Sequence, residues 1–244
     1  MEKRFDVRVE IADVPFLIRS RFANCSLFFH DYLSDKEPLF VIDPSDDDLS
    51  RINVAFDKMD AEEGNPSVFR PLFFLENNAI HDLLAEKMVA HHVLLIHGSA
   101  LCMDGIGHLF TAKSGTGKST HARLWREAFG DRVWMINDDK PMLRITENAA
   151  TVYGTPWDGK HHLSRNASAP LKAIYKLERA EHNCIEPLTE QEAYETLLIQ
   201  CFRSKQPAVM MQILTLEKQL LNAVSFYKLG CNTMPDAAWV AWRK

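Results

Sequence analysis

The sequence lacks the features that mark several common protein classes. Its 244 residues contain 28 lysines and arginines against 33 aspartates and glutamates, so it has no basic excess of the kind that nucleic-acid-binding proteins use. No apolar run reaches membrane-spanning length without a polar interruption, and the N-terminal stretch MEKRFDVRVEIADVPF is charged rather than apolar. We therefore expect a soluble, cytoplasmic protein that binds neither nucleic acid nor a membrane; its oligomeric state stays open.

Cysteine is scarce, and sequence repeats are absent. The five cysteines form no C-x-x-C pair, which disfavours a zinc ribbon and a disulfide framework. His91, His92 and His97 resemble a metal cluster by number only, because adjacent histidines on a helix face different directions. What the chain does have is 46% hydrophobic residues, enough for one large or two small globular domains.

The first part of the chain has a strand-like pattern. The runs FDVRVEI, FLIRSRF, SLFFHDY and LFVID are separated by Pro, Asp and Ser, which predicts a small β-rich lobe over residues 1–76. Within it, PSDDDLS is interpreted as a turn and helix start rather than a cation site, because Asp is favoured at the positive end of a helix. An amphipathic helix over residues 77–92 then opens a second domain over residues 77–244.

A hairpin and a glycine-rich loop follow. In VLLIHGSALCMDGIGHLFTA, two β-prone runs flank Asp104-Gly105, a pair that favours a two-residue turn. That turn would place His97 opposite Ala112, where the loop begins. The sequence therefore predicts that His97 lies close to the loop TAKSGTGKST.

The remaining elements alternate between strand and helix. THARLWREAFG predicts a helix, and RVWMI a strand that runs into Asn137-Asp138-Asp139. LKAIYKLERA is typical of a strand, and LTEQEAYETLLIQCF of a helix opened by a Thr189–Glu192 capping box. VMMQILTLEKQLLNAVSFYKLG fits strand or helix, and DAAWVAWRK predicts a terminal helix. This order indicates an α/β (mixed α+β) fold.

The loop matches the phosphate-binding pattern G-x-x-x-x-G-K-[ST], except that Ala112 replaces the first glycine. Its glycines let the backbone turn N–H groups inward as an anion nest, and the next helix adds its positive end. Lys118 would neutralise phosphate charge, and the Ser119 hydroxyl would coordinate Mg²⁺. The residues predicted to bind ATP are Ser114, Gly115, Thr116, Gly117, Lys118, Ser119 and Thr120. A capped turn without a ligand is the structural alternative.

The acidic pair stands where a metal-binding acid of a P-loop enzyme is expected, at the end of the next strand. One carboxylate would hold Mg²⁺ and the other would accept a proton from an attacking hydroxyl. Neighbouring residues on a strand point to opposite sides, so Asp138 and Asp139 need not share a role. His97 would donate a hydrogen bond to charge that develops at the transferred phosphate. A solvated turn and a core histidine are the alternatives.

The combination HGSAL, GHLFTAKSGTGKST and INDDKP resembles the catalytic domain of HPr kinase/phosphorylase and, more distantly, ATP-dependent phosphoenolpyruvate carboxykinase. The resemblance covers about residues 97–139, and it implies a P-loop kinase with a mixed sheet. It implies that Ser119 and Asp138 bind Mg²⁺, that Asp139 accepts the proton, and that His97 and Lys118 assist at the phosphate. It also implies transfer of the ATP γ-phosphate to a serine of a peptide or protein.

The segment YGTPWDGKHH is the predicted acceptor side, because Gly and Pro rigidify a loop that supplies stacking, charge and hydrogen bonds. The residues proposed there are Trp157, Asp158, Lys160, His161, His162 and the nearby Arg165. Arg165 and Arg203 are candidate phosphate or carboxylate contacts. A surface turn with a buried Trp is the structural alternative. A small-molecule kinase and a nucleotide-sensing module without transfer remain the alternative functions.

Overall fold

The computed structural model describes residues 3–242, and its chain divides into two compact units. The first unit ends at Lys87 and the second begins at Met88. This division falls later than the predicted boundary after residue 76. The helix that was expected to open the second domain instead begins earlier, at Leu72, and runs to Met88.

Over residues 3–87, the first unit holds a three-stranded sheet. β1 (Phe5–Ile11) and β2 (Val14–Ser20) form an antiparallel hairpin, and β2 pairs in parallel with β3 (Val41–Ile42). Burial follows the alternate residues of β1 and β2, as the alternation of polar and apolar residues predicts.

The predicted strand SLFFHDY is wrong. Helix α1 (Cys25–Phe28) and a 3₁₀ turn at His30–Tyr32 occupy this stretch instead. Cys25, Phe29 and Tyr32 are buried at helical spacing, so packing overrides the β-propensity of the aromatic residues.

Two long helices give the first unit more helix than the predicted β-rich lobe. Helix α2 (Asp46–Glu62) begins at a capping box in which the side chains of Ser45 and Asp48 each accept from the other residue's backbone N–H. The acidic run is therefore a helix start, as predicted. Helix α3 (Leu72–Met88) follows Pro71, whose carbonyl accepts a hydrogen bond from the Leu75 N–H.

Between Met88 and Trp242, the second unit is built on a nine-stranded mixed sheet. Its strands are β4 (Val93–Leu95), β5 (Gly98–Met103), β6 (Ile106–Thr111), β7 (Val133–Asp139), β8 (Met142–Ile145), β9 (Ala150–Tyr153), β10 (Ser168–Arg179), β11 (Cys184–Pro187) and β12 (Ser225–Cys231). The order is β4-β8-β9-β10-β6-β5-β7, and β12 pairs with β10 and with β11. The long strand β10 pairs with β9 through its first residues and with β6 and β12 through the rest, so the sheet curls.

Helices cover both faces of this sheet. They are α4 (Lys118–Phe129), α5 (Glu190–Gln200), α6 (Pro207–Ala223) and α7 (Asp236–Trp242). Leu101 and Met103 of β5 face α4 and α7, whereas Ala100 and Cys102 face α5 and α6. Because both faces are covered, strands such as β5 are apolar along their whole length.

The helices of the second unit can be compared with three predictions: the capping box, the segment before Gly230 and the terminal helix. The Thr189–Glu192 capping box opens α5 as predicted, and the ambiguous segment before Gly230 is α6 followed by β12. The last two residues of the predicted terminal helix, 243 and 244, lie outside the described residues. Within residues 3–242, the structure contains no helix both long and apolar enough to cross a bilayer.

The hairpin of β5 and β6 has the predicted register, since Ser99 pairs with Phe110 and Met103 with Ile106. Strand β7 pairs antiparallel with the other edge of β5. Strand β5 therefore lies between β6 and β7, which run parallel to each other. The carboxyl ends of β6 and β7 consequently flank the amino end of β5, and the candidate site lies at this edge.

Candidate functional site

The glycine-rich loop connects Thr111, at the end of β6, to Lys118, at the start of α4. Gly115 has φ 73° and Gly117 has φ 122°, conformations that a side chain would strain. Ala112 is 4% exposed at the strand end, where a small residue fits in place of the first glycine of the pattern. The loop leads directly into the amino end of α4, where the helix dipole favours an anion.

Side chains from three neighbouring segments hold this loop. The Thr111 hydroxyl donates to the His97 carbonyl (2.8 Å), and the Lys118 ammonium donates to the Ala112 carbonyl (3.2 Å). Arg179, at the end of β10, donates to the Gly115 carbonyl at 2.7 Å. Sequence reasoning missed Arg179, because only the parallel pairing of β10 with β6 brings it to the loop.

Asp138 is almost completely buried, and its carboxylate accepts hydrogen bonds from two hydroxyl groups. The Ser99 hydroxyl donates to its Oδ1 at 2.5 Å, and the Ser119 hydroxyl donates to the same oxygen at 3.2 Å. Ser99 was missed at the sequence level, although it pairs directly with Asp138 across β5 and β7. The two residues predicted to hold Mg²⁺, Ser119 and Asp138, are therefore in contact.

A β-bulge turns Asp138 towards α4. Leu101 pairs with Met135, but the next pair along is Ala100 with Asn137, so Ile136 is the extra residue. Met135 and Asp138 consequently share a face of the sheet although they are three residues apart. In a regular strand, Asn137 would occupy that face instead.

Asp139 faces His97 at the same edge. The His97 Nε2 lies 3.4 Å from the Asp139 Oδ1, and the backbone N–H of His97 donates to the Gln200 carbonyl at 2.9 Å. Burial, reinforced by the positive charges of Lys118 and Lys140, lowers the pKa of His97 to about 4. The imidazole is therefore neutral near pH 7 and can donate one N–H. Burial also lowers the pKa of Lys118, although the negative charge of Asp139 acts in the opposite direction and raises it.

Asn137 braces the strand end between these groups. Its amide nitrogen donates to the carbonyls of Thr155 and Trp157, and its side-chain oxygen accepts from the backbone N–H groups of Asp139 and Lys140. The side chain is completely buried. It fixes the turn after β7 and ties it to the predicted acceptor segment.

Only part of that acceptor segment faces the site. The Asp158 carboxylate accepts hydrogen bonds from Gly159 and Ser164, so it shapes the segment itself. Trp157 is tied to Asn137 through its carbonyl, and Arg165 packs its guanidinium over the Trp134 ring at 5.5 Å.

Gly159 allows the same segment to pass close to β7. A Cβ at this position would lie 2.7 Å from the Asp138 carbonyl oxygen and 3.0 Å from its Oδ2. Arg203, the other candidate anion contact, binds Glu217 at 2.6 Å instead.

Two cavities meet at the loop, where Ser114 and Gly115 line both. One, of about 750 Å³, is lined by His97, Lys118, Ser119, Thr120, Arg123, Arg126, Asp138, Asp139, Lys160 and His161 among others. The other, of about 610 Å³, is lined by Thr116 and by residues of β10 and α5 that include Arg179 and Gln200. The predicted ATP-binding run therefore borders these two cavities, and both acids line the larger one together with Lys160 and His161 of the acceptor segment.

The oxygen donors fit Mg²⁺ better than a transition metal. Across residues 3–242, no group of three or more His, Cys, Asp or Glu side chains is arranged to hold a metal. Ser119 and Asp138 offer a hydroxyl and a carboxylate, and Mg²⁺ commonly takes few protein oxygens and completes its shell with phosphate and water.

Comparisons with known proteins find a distant likeness among solved structures. No protein-family model matches the chain, and no curated protein matches it. Among solved structures, the Hpr(Ser) kinase/phosphatase from Coxiella burnetii is similar over 61% of this chain and 94% of its own, with 13% sequence identity and a TM-score of 0.33. At this TM-score the likeness is too weak to support a function, which has to be argued from the site.

Proposed function

We propose that the second unit is an ATP- and Mg²⁺-dependent kinase that transfers the γ-phosphate to a hydroxyl group, with a serine of a peptide or protein as the leading acceptor. One observation carries the proposal. The Ser119–Asp138 contact and the Asp139–His97 contact lie side by side at the glycine-rich loop. A capped turn would not need two differently paired acids at this position.

Each side chain of the site has a proposed role. Ser119 and Asp138 would hold Mg²⁺, and Lys118 would turn from the Ala112 carbonyl to the phosphates. The bound nucleotide supplies the phosphoryl group. Asp139 would accept the proton of the attacking hydroxyl, and neutral His97 would donate its N–H to the negative charge that develops.

The two cavities suggest where each substrate lies. Phosphates held by Ser114 and Gly115 would leave the nucleoside in the cavity of about 610 Å³ beside Arg179. The cavity of about 750 Å³ contains Asp139, so the acceptor hydroxyl would enter there. Lys160 and His161 are the proposed acceptor contacts from the segment after β9.

The test is transfer of label from radiolabelled ATP with Mg²⁺ to a panel of serine peptides and, separately, to a pooled metabolite extract. We expect labelled product with the wild-type protein, loss of ATP binding in Lys118→Ala, and retained ATP binding with about 10²-fold or greater loss of turnover in Asp139→Asn. Asp131→Asn, which removes an acid outside the site, is the matched control.

The outcomes separate the alternatives. Label on a peptide supports a peptide or protein kinase, and label on a metabolite supports a small-molecule kinase of the same fold. A third outcome is ATP binding that depends on Lys118, without transfer to either panel, and with the protein's function intact in Asp139→Asn. This outcome would indicate a nucleotide-sensing module.

A further inference from the structure

Helix α4 presents a second charged feature beyond the loop. Ser119, Arg123 and Arg126 are spaced four and then three residues apart, so they share one face of the helix. All three line the cavity that contains Asp139. The opposite side of α4 is used for the core, where His121, Leu124 and Trp125 are buried.

The guanidinium of Arg126 has a donor for which the described residues supply no hydrogen-bond acceptor. Its Nε is buried and has no hydrogen-bond partner among residues 3–242. Arg123 pairs with Glu127 at 2.6 Å, but within the described chain neither Arg126 nor Lys160 forms an ion pair. A buried guanidinium N–H without an acceptor is unfavourable, so an anionic ligand at this place would be strongly preferred over a neutral one.

The position of this arginine argues against a role in holding the nucleotide phosphates. Those phosphates are expected at the amino end of α4, next to Lys118 and Ser119. With a rise of 1.5 Å per residue, Arg123 and Arg126 start about 6 Å and about 10 Å further along the helix. Lys160, from the proposed acceptor segment, lines the same cavity.

We propose that Arg126, with Arg123 and Lys160, binds an oxyanion of the acceptor, so that the substrate is a hydroxyl compound carrying a carboxylate or phosphate. This inference rests on the proposed kinase function for the identity of the bound molecule. In an extended peptide, about 6–10 Å corresponds to an acidic side chain two or three residues from the serine, at about 3.3 Å per residue. In a small molecule, the same group would be a phosphate or carboxylate of the acceptor itself.

The experiment measures binding separately from transfer. Saturation-transfer NMR, with and without Mg²⁺ and adenylyl imidodiphosphate, compares acetyl-Ser-Gly-Asp-amide with acetyl-Ser-Gly-Asn-amide, and glycerol 3-phosphate with glycerol. We expect one anionic probe to bind at least tenfold more tightly than its neutral partner. Arg126→Gln should remove that preference, Arg126→Lys should keep part of it, and Arg19→Gln, a charge-matched change in the first unit, should leave it intact.

Two results would overturn the inference: equal binding of charged and neutral probes in the wild type, or loss of nucleotide affinity in Arg126→Gln as large as in Lys118→Ala. A kinase assay on the same probes separates the two proposals. Anion-selective binding without label transfer keeps the oxyanion site and removes the kinase. Equal labelling of charged and neutral probes keeps the kinase and removes the oxyanion site.

Discussion

At the scale of single residues, the position of Asp138 depends on Ser99. This serine is 1% exposed, and its hydroxyl donates the shorter of the two hydrogen bonds to Asp138. A hydrogen bond to a charged group contributes about 1.5–3 kcal/mol. Without it, the carboxylate would be less well fixed for the Mg²⁺ ion that we propose it binds.

We therefore expect Ser99→Ala to raise the Mg²⁺ concentration for half-maximal transfer about tenfold, the equivalent of about 1.4 kcal/mol, with ATP saturating. Titration of activity with Mg²⁺ measures this. Ser26→Ala, at a serine of the first unit, is the control. An unchanged Mg²⁺ dependence in Ser99→Ala would show that Ser99 does not position the metal ligand.

Gly159 provides a second test at this scale. An added Cβ would meet the carbonyl and carboxylate oxygens of Asp138, and the backbone of β7 cannot easily yield. We expect Gly159→Ala to reduce transfer at least tenfold while ATP binding through Lys118 is retained. Gly64→Ala also strains a glycine, at φ 76°, but it lies in the first unit and meets no atom within 4 Å beyond its chain neighbours, so it should leave the rate of transfer unchanged. Normal turnover in Gly159→Ala would mean that the segment after β9 need not lie against Asp138.

At the scale of elements, a buried ion pair links the end of α5 to α6. Glu217 is completely buried, and it accepts from Arg203, which also donates to the carbonyls of Leu197 and Leu198. Burial raises the pKa of Glu217, although the hydrogen bond and positive charge of Arg203 act in the opposite direction and lower it. Gln200, two residues after Leu198 at the end of α5, accepts a hydrogen bond from the backbone N–H of His97, so the ion pair lies behind the edge that carries the candidate site.

Removing one member of the Arg203–Glu217 ion pair should lower the free energy of unfolding much more than replacing both members. We expect Arg203→Ala to lower the free energy of unfolding by about 3–5 kcal/mol, because it leaves Glu217 buried without its cation. Arg203→Met combined with Glu217→Leu should recover most of this loss. Urea unfolding followed by tryptophan fluorescence measures both variants. Equal stability of the wild type and Arg203→Ala would contradict the argument.

At the scale of the whole molecule, stability should depend on pH through two buried histidines. Burial lowers the pKa of His108 and of His121 to about 4, against an ordinary value of 6.5. His108 contacts the Tyr175 hydroxyl at 3.0 Å, and the His121 Nε2 accepts from the Trp125 indole N–H at 3.0 Å. Because that ring nitrogen is an acceptor, the His121 proton lies on Nδ1.

The sign follows from the lowered pKa values. Between pH 6.5 and pH 4 the unfolded chain binds more protons than the folded chain, so the stabilisation is complete above pH 6.5 and is lost as pH falls. From pH 7 to pH 5 we expect each histidine to remove about 2 kcal/mol. All five tryptophans lie in the second unit, so their fluorescence during unfolding at several pH values reports this unit alone.

His108→Phe should reduce the loss of stability on acidification by about half, since His121 would still titrate. His30→Phe, at an exposed position in the first unit, should leave the pH dependence of tryptophan-detected unfolding unchanged. A flat stability profile from pH 7 to pH 5 in the wild type would show that neither ring is held neutral by the fold.

Much of the site edge could be predicted because its determinants are local in sequence. Asp104-Gly105 sets the register of β5 against β6, the spacing of Gly115 and Gly117 sets the loop, and the capping boxes mark helix starts. Local pattern failed at SLFFHDY, where burial against the rest of the first unit chose helix over strand.

Local sequence patterns were enough to predict the glycine-rich loop, the hairpin before it and the acidic pair after it, because turn chemistry and strand–helix order act over a few residues. The strand order, with β5 between β6 and β7, and the bulge at Ile136 that turns Asp138 to Ser99 and Ser119 became evident from the folded chain alone. The same holds for Arg126, which faces the cavity of Asp139. These contacts join residues far apart in the chain, and their geometry depends on strand pairing that no local pattern encodes.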